Sequence, residues 1–175
     1  MADLLPEKWM KGIAMTTTVL AVVASIASSR SAFFVARAQL LTALEGSQWS
    51  YYQAKSIKQY LAEDQLKAFQ FDTFGATTPE QRDFLGKNIQ DYSKNIARYD
   101  QEKTDIQKQA ESTRKENALV VKRGSRFSLA VVFSQIGIML SSVGALLKRR
   151  EMWIVGLIIG FISLIFLADG FLLFL

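Results

Sequence analysis

The chain has 175 residues, of which half are apolar, and it contains neither Cys nor His. These absences exclude disulfides, thiol nucleophiles, histidine bases and nearly every zinc, haem or copper site. The net charge is +5, but residues 31–125 hold 14 Lys and Arg against 12 Asp and Glu. That balance is typical of solvated helix faces and not of a nucleic-acid interface. We therefore expect no enzyme activity, no metal, no cofactor and no nucleic acid.

The N-terminal part of the chain predicts a first membrane span. Residues 1–11 form a short polar lead in which Trp9 occupies the position of an interface aromatic. Residues 12–29 carry no charge, and their length is just sufficient to cross a bilayer as a helix. A secretory signal peptide with a cleavage site near Ser25-Ile26-Ala27 is the alternative. We interpret residues 12–29 as transmembrane helix 1.

Residues 30–125 predict a long helical hairpin outside the membrane. The arms are expected at about 30–69 and 79–125, with the loop at 70–78. Apolar residues keep a helical spacing through both arms. The end of the loop is marked by Thr78-Pro79-Glu80-Gln81, which supplies an N-cap, a Pro at the first helical position and a Gln at the capping-box position.

The second arm carries a heptad pattern over more than four repeats. Its members step by four and three residues along the chain: Leu85, Ile89, Tyr92, Ile96, Tyr99, Lys103, Ile106, Ala110, Thr113, Asn117 and Val120. This spacing is typical of a coiled-coil seam, so we expect the two arms to pair as an antiparallel coiled coil. Because the first arm offers smaller residues to the seam, we expect other chains to pack alongside it.

Two further spans are predicted after the hairpin, at residues 127–147 and 152–175. In the first of these, small residues recur at helical spacing at Ala130, Ser134, Gly137, Ser141 and Gly144. In the second, Gly156 and Gly160 form a GxxxG motif. Small residues let helices approach closely in a bilayer, so both faces are candidates for transmembrane packing and for assembly. If the GxxxG motif faces the small residues of the second span, the two spans form a tight hairpin.

Asp169 is the one acidic residue inside a predicted span. It lies six residues from the end of the sequence. In a third span antiparallel to the second, it would come within reach of Arg126, and we predict an ion pair between the two. The alternative is an ion path, in which Asp169 and the polar residues of the first span line a pore. Those residues are Thr16, Thr17, Thr18 and Ser25.

The stretch from Trp49 to Lys58 is rich in aromatic and basic residues. Its candidate contact residues, with one neighbour beyond it, are Trp49, Tyr51, Tyr52, Lys55, Lys58 and Tyr60. We predict an interaction surface here, and a core between two helices is the alternative. A second group, Arg114, Lys115, Lys122, Arg123 and Arg126, could hold anionic lipid headgroups. The same cations are also the usual flank of a membrane span.

The distribution of cations predicts the orientation of the chain. The turn Lys148-Arg149-Arg150 is the densest positive loop. By the positive-inside rule this places the turn and the N-terminus in the cytoplasm and the hairpin in the periplasm. The membrane ends of the hairpin carry even more cations, which favours the opposite orientation. Long loops weigh less in the rule, so we retain the periplasmic hairpin.

The run Trp49-Ser-Tyr-Tyr-Gln-Ala-Lys-Ser-Ile-Lys58, between an Ala-rich first span and two C-terminal spans, resembles a family of bacterial membrane proteins. That family is catalogued only as a domain of unknown function. The resemblance covers most of the chain. It implies the three-span architecture with a helical hairpin and a bacterial inner membrane, and it implies no activity.

Taken together, the sequence predicts an all-α integral membrane protein with three spans and a hairpin between the first and second. We expect a structural scaffold or accessory subunit, present as a homo-oligomer or within a larger membrane complex. Its hairpin and its small-residue transmembrane faces would make the contacts. The alternative function is an oligomeric channel or transport component.

Overall fold

The computed structural model describes residues 8–172, and all of its regular structure is helical. The helices are α1 at Lys8–Asp72, a 3-10 helix at Thr73–Gly75, α2 at Pro79–Leu146 and α3 at Arg150–Leu172. No strand occurs in residues 8–172. The prediction of an all-α chain is confirmed. Residues 1–7 of the expected polar lead and residues 173–175 of the expected third span lie outside the described part of the chain.

Each of the three helices contains a segment that is apolar enough to cross a membrane. The most apolar 18-residue windows have mean hydropathies of 1.8 in α1, 1.9 in α2 and 2.4 in α3. By length and composition, the chain therefore has three candidate spans among residues 8–172.

The link between α1 and α2 is short and well defined. Helix α1 is unbroken at Gly46 and extends to Asp72, three residues beyond the expected end of the first arm. At the start of α2, Gln81 N donates to Thr78 Oγ1 and Thr78 N donates to Gln81 Oε1, each at 3.3 Å. This reciprocal pair is the capping box that the sequence predicts, and it satisfies two N–H groups that the helix leaves free.

Helix α2 ends in a left-handed turn at Lys148, whose φ is 52°. The N–H of Arg149 donates to Gly144 O over 3.0 Å, and the N–H of Lys148 donates to Ala145 O over 3.3 Å. These two bonds form a Schellman motif, which satisfies the last carbonyl groups of the helix. The motif reverses the chain within a few residues, so α3 begins at Arg150, two residues before the expected third span.

Contacts divide the chain into two units. The first consists of Met1–Gln39 with Asn117–Leu175, and the second is Leu40–Glu116. The first unit holds the apolar part of all three helices. Its buried side chains include Ile13, Leu20, Val23 and Phe127.

In the second unit, α1 and α2 pair antiparallel. Phe69 contacts Tyr92 with ring centroids 5.5 Å apart, and Lys55 contacts Glu102 near the middle of the pair. Every member of the heptad series from Leu85 to Thr113 is buried or half-buried. The heptad pattern of the second arm therefore marks the side of α2 that faces α1.

Candidate interaction site

The small-residue faces of α2 and α3 pack against each other in the first unit. A Cβ atom added to Gly156 would lie 2.9 Å from the carbonyl oxygen of Gly137 and 2.6 Å from Ser141 Oγ. Both distances are shorter than van der Waals contact, so the two backbones touch at these glycines. The contact of α2 with α3 depends on glycine at these positions, because a side chain would hold the two backbones apart.

Helix α1 joins this contact through one leucine. The side chain of Leu20 fills the space over Gly160, where an added Cβ would lie 2.8 Å from Leu20 Cδ2. Leu20 also approaches Gly137. The predicted packing residues are all buried by these helices of the same chain: Ser134, Gly137, Ser141, Gly144, Gly156 and Gly160. We therefore assign them to packing within one chain.

A buried hydroxyl chain also links α2 to α3. Ser163 Oγ donates to Ala130 O over 3.0 Å, and Ser134 Oγ lies 2.5 Å from Ser163 Oγ. Because the single proton of Ser163 goes to the carbonyl group, Ser134 must be the donor to Ser163. Ser134 and Ser163 have no exposed surface, so the chain fixes the register of the two helices where no water can compete.

The structure brings Arg126 and Asp169 together. Arg126 Nε lies 2.9 Å from Asp169 Oδ2. The carboxylate is fully buried, whereas a quarter of the arginine side-chain surface is exposed to solvent. Arg30 of α1 stacks over the ring of Phe171, with its guanidinium carbon 5.5 Å from the ring centroid. Two cations therefore meet the C-terminal end of α3, where the helix dipole is negative. Lys122 and Arg123 are exposed.

Aromatic rings mark the other end of the first unit. The rings of Trp9 and Trp153 have centroids 6.5 Å apart, and Trp153 Nε1 donates to Thr16 Oγ1 over 3.3 Å. The ring of Trp153 also covers Gly12. Paired tryptophans with an occupied N–H group are typical of the boundary between hydrocarbon and water.

The three threonines of the expected pore are bonded within the first unit. Thr16 Oγ1 donates to Gly12 O over 2.7 Å, and Thr17 and Thr18 also donate to carbonyl groups of α1 itself. Such bonds satisfy a hydroxyl group without a partner outside the helix. Ser25 is exposed, and Asp169 is held by Arg126.

In the second unit, the predicted contact residues divide between two sides of α1. Trp49, Tyr52 and Lys55 are half-buried on the side that faces α2. Tyr52 lies under the ammonium group of Lys103, with the nitrogen 5.4 Å from the ring centroid. These residues belong to the contact between the arms. The sequence analysis gave such a core between two helices as the alternative to an interaction surface. Tyr51, Lys58 and Tyr60 are exposed.

An ion pair with aromatic neighbours holds the centre of the hairpin. Lys55 Nζ lies 2.6 Å from Glu102 Oε2 and 5.2 Å from the ring centroid of Tyr51. The hydrogen bond to Glu102 raises the pKa of Lys55 above its ordinary value of 10.5. The same bond lowers the pKa of Glu102 below 4.5. Both groups therefore stay charged across the neutral range.

The outward side of α1 in the second unit is apolar. We call it the outer stripe, and its members are Leu40, Leu44, Ser47, Ser50, Tyr51, Ala54, Ile57 and Leu61. All of them are exposed or half-buried, with Leu40 at 72%, Ile57 at 59% and Leu61 at 62% exposed. They follow one another at three- and four-residue steps, apart from the adjacent pair at the centre, so they share one side of the helix. Ser47 and Tyr51 lie at the edge of this side nearest α2, where they line a hollow with Glu102 and Ile106. Of these residues, the sequence analysis singled out only Tyr51 as a contact residue.

Helix α2 does not show a similar face. Between residues 86 and 116 it exposes no large apolar side chain, and its outward positions are mainly charged or amide-bearing residues. The two arms are similar in length but opposite in the character of their outward sides. Exposed apolar stripes of this kind mark contact sites more often than solvated surface.

The tip of the hairpin carries a second exposed aromatic group. Phe71, Phe74 and Phe84 are exposed and line a hollow of about 620 Å³ together with Leu85. Sequence reasoning treated this segment as a loop. The signal that could have identified it is the density of Phe residues around the turn.

Over residues 9–173 the chain matches a protein family described as Domain of unknown function (DUF4337). The chain belongs to this family. The prediction of an uncharacterised family is thereby confirmed. No curated protein and no solved structure matches the chain. The description of the DUF4337 family names no activity, so its function has to be argued from the surfaces described above.

Proposed function

We propose that this DUF4337 protein is a non-catalytic membrane scaffold or accessory subunit that binds another helix along the outer stripe of α1. The observation that carries the proposal is the contrast between the two arms of the hairpin. One outward side is polar, as a solvated helix requires, and the other displays leucines, an isoleucine and a tyrosine. Covering that side removes apolar surface from water at about 25 cal/mol per Å².

The first unit supports anchoring in a membrane by three spans. Trp153 and Asp169 are separated by about 24 Å along α3 at 1.5 Å per residue. The hydrocarbon core of a bilayer is about 30 Å thick. The tryptophan pair and the Arg126–Asp169 ion pair would then lie near the two interfaces, where aromatic and charged residues are best tolerated. Lys122 and Arg123 are candidate ligands for anionic lipid headgroups.

For the location, we propose a bacterial inner membrane with the hairpin on the periplasmic side. The support is the cation-rich turn at Lys148-Arg149-Arg150, which favours the cytoplasm. The Ser112→Cys variant tests the orientation, because Ser112 is exposed in α2 and the chain has no other Cys. Labelling of intact cells with a thiol reagent that cannot cross the inner membrane supports the proposal. Labelling only after lysis contradicts it.

The assembly itself is tested by native mass spectrometry of particles extracted with the proteins of their own membrane. A single chain has a mass of 19.6 kDa, and we expect a larger particle of defined composition. The Ala54→Arg variant places a charge in the outer stripe and should reduce the particle to a smaller mass. Ala97→Arg is the matched control, since Ala97 lies in the second arm, outside the outer stripe.

The proposal predicts that Ala97→Arg leaves the particle unchanged. A single chain in the wild-type preparation would overturn the scaffold function. An assembly equally resistant to both substitutions would show that the outer stripe is not its contact site.

A further inference from the structure

An apolar groove lies in the first unit between α1 and α3. The two helices run in the same direction there, because Trp9 meets Trp153 near the start of each and Leu20 lies over Gly160 further along. Beside this contact they leave a groove of about 320 Å³, which Gly160 helps to line. Ligand pockets in proteins commonly have volumes of about 300–1,000 Å³, so the groove is large enough to hold part of a ligand.

The walls of the groove are almost entirely hydrocarbon. Its large side chains include Val19, which is 55% exposed, and Phe161, which is 64% exposed. Among the described residues that line the groove, Thr16 alone has a polar side chain. Thr16 Oγ1 donates to Gly12 O and accepts a hydrogen bond from Trp153 Nε1, so its proton is not available to a ligand. A polar molecule would give up hydrogen bonds to water here without replacing them, so the walls favour a hydrocarbon chain.

Two cations lie at one end of the groove, on the sides of α1 and α3 that line it. Lys11 precedes the lining residue Met15 by four positions, and Arg150 precedes the lining residue Leu157 by seven. Residues at these spacings share one side of a helix. Lys11 and Arg150 are both exposed. Glu151 follows Arg150 directly, but it points about 100° away from it around α3.

We propose that the groove binds one anionic phospholipid of the membrane, with an acyl chain between α1 and α3 and the phosphate group at Lys11 and Arg150. The inference rests on the proposed anchoring of the first unit in a membrane. Anchoring places Trp153 at the boundary between hydrocarbon and water, so the two cations lie at the depth of the headgroups. Exposed Lys and Arg residues attract anionic lipids at that depth, and the adjacent Lys148 and Arg149 add to the positive charge.

A lipid fits the groove better than a helix of another chain does. Helices that pack closely in a bilayer present small residues to each other. The groove instead presents large side chains from both helices, with Met15 at 72% and Phe161 at 64% exposed. A flexible acyl chain adapts to such irregular walls. The selection among lipids comes from the cations, because every acyl chain offers the walls the same hydrocarbon.

The test uses the full-length chain in phosphatidylcholine nanodiscs, with Trp153 as its fluorescent probe. Trp9→Phe and Trp49→Phe remove the other two of the three tryptophans. Trp153 is bonded to Thr16 of the groove, so bromine atoms on an acyl chain in the groove should quench its fluorescence. The nanodiscs are titrated with brominated phosphatidylglycerol, which is anionic, or with brominated phosphatidylcholine. We expect half-maximal quenching at a several-fold lower fraction of the anionic lipid.

A first pair of variants tests the cations. Lys11→Gln/Arg150→Gln should remove most of the preference for the anionic lipid. Lys122→Gln/Arg123→Gln removes the same charge from the opposite end of the first unit and should leave the preference at Trp153 unchanged. A preference that survives the first variant would show that these two cations do not hold the headgroup, and the inference would fail.

A second pair of variants tests the groove itself. Val19→Phe should reduce the preference because the larger side chain fills the space of the acyl chain. Val22→Phe is the matched control, since Val22 is equally exposed on α1 at 55% and does not line the groove. Equal effects of the two substitutions would place the lipid outside the groove and overturn the inference.

The remaining outcomes separate the lipid site from the membrane anchoring. Equal quenching by the two lipids would support the anchoring and exclude a selective site. Quenching by neither lipid in nanodiscs that hold one copy would overturn both. A preference that appears only after deletion of residues 2–7 would assign the groove to the N-terminal segment of the chain. Quenching that disappears when two copies share a nanodisc would assign the groove to a second copy.

Discussion

Arg126 and Asp169 form an ion pair in which the two partners are unequally buried. The carboxylate has no exposed surface, whereas the arginine retains a quarter of its own. Removing one member of a buried pair is costly chiefly through the charge that is left behind. The stability of the pair therefore depends more on the arginine, because its loss removes a cation from the less accessible charge.

This asymmetry gives the first prediction. Arg126→Leu should lower the free energy of unfolding by about 3 kcal/mol, since a buried carboxylate loses the ion pair with Arg126. Asp169→Asn should cost about 1 kcal/mol, because Arg126 can still reach water. The double variant Arg126→Leu/Asp169→Leu should recover part of the loss. Unfolding in mixed micelles, followed by circular dichroism, measures all three, and a larger cost for Asp169→Asn would contradict the argument.

The glycine contact between α2 and α3 gives a second prediction. Gly156→Ala should destabilise the first unit by about 1–3 kcal/mol, because the new methyl group overlaps backbone that has no room to move. The nearest backbone atom is Gly137 O, 2.9 Å from the position that the new methyl group would take. Gly86→Ala is the matched control, since nothing lies within 4 Å of an added Cβ there. It should stabilise its helix by up to about 1 kcal/mol, and equal losses in both variants would refute the close contact.

Much of this architecture follows from the sequence because the deciding signals are local. Charge-free segments give the candidate spans, and Thr78 to Gln81 gives the start of α2. The sequence is less informative about which side of a helix meets which neighbour. Trp49, Tyr51 and Tyr52 are close in sequence, but adjacent residues on a helix point about 100° apart. Tyr52 therefore contacts Lys103 of the other arm, Trp49 packs against Tyr52, and Tyr51 lies at the exposed edge of the outer stripe.

The small-residue faces illustrate a second limit of sequence reasoning. The spacing of Gly137, Gly156 and Gly160 indicates a close approach of the second and third spans, but it does not indicate that α1 joins them. The approach of Leu20 to these glycines depends on packing with α1, which is distant in sequence. Whether such a face is used within a chain or between chains is decided by tertiary contacts that no local pattern records.

The left-handed turn at Lys148 gives a third prediction. A non-glycine residue at a φ of 52° is strained by its Cβ atom, at a cost of about 1 kcal/mol. Lys148→Gly should therefore be more stable than Lys148→Ala by about that amount. Both variants remove the same charge, so their difference isolates the backbone contribution. Equal unfolding free energies would contradict the left-handed conformation.

The Lys55–Glu102 ion pair gives the fourth prediction, which concerns pH. The pKa of Glu102 is lowered by its bond to Lys55, so its contribution to stability is present above pH 4.5 and is lost as the pH falls further. The pKa of Lys55 is raised, so its contribution is present below pH 10.5 and is lost as the pH rises further. The hairpin should therefore gain stability from this pair between these limits and lose it on both sides.

The measurement has to separate this pair from the many other charges of the hairpin. Thermal unfolding can be followed by the fluorescence of Trp49 in a Trp9→Phe/Trp153→Phe background, with and without Lys55→Met. The wild-type side chain should raise the melting temperature by a few degrees at neutral pH, and the difference should shrink at about pH 3 and at about pH 12. Other carboxylates titrate equally in both proteins, so they cancel in the difference. A difference that is constant across the whole range would mean that the close contact of Lys55 with Glu102 contributes nothing to the stability of the hairpin.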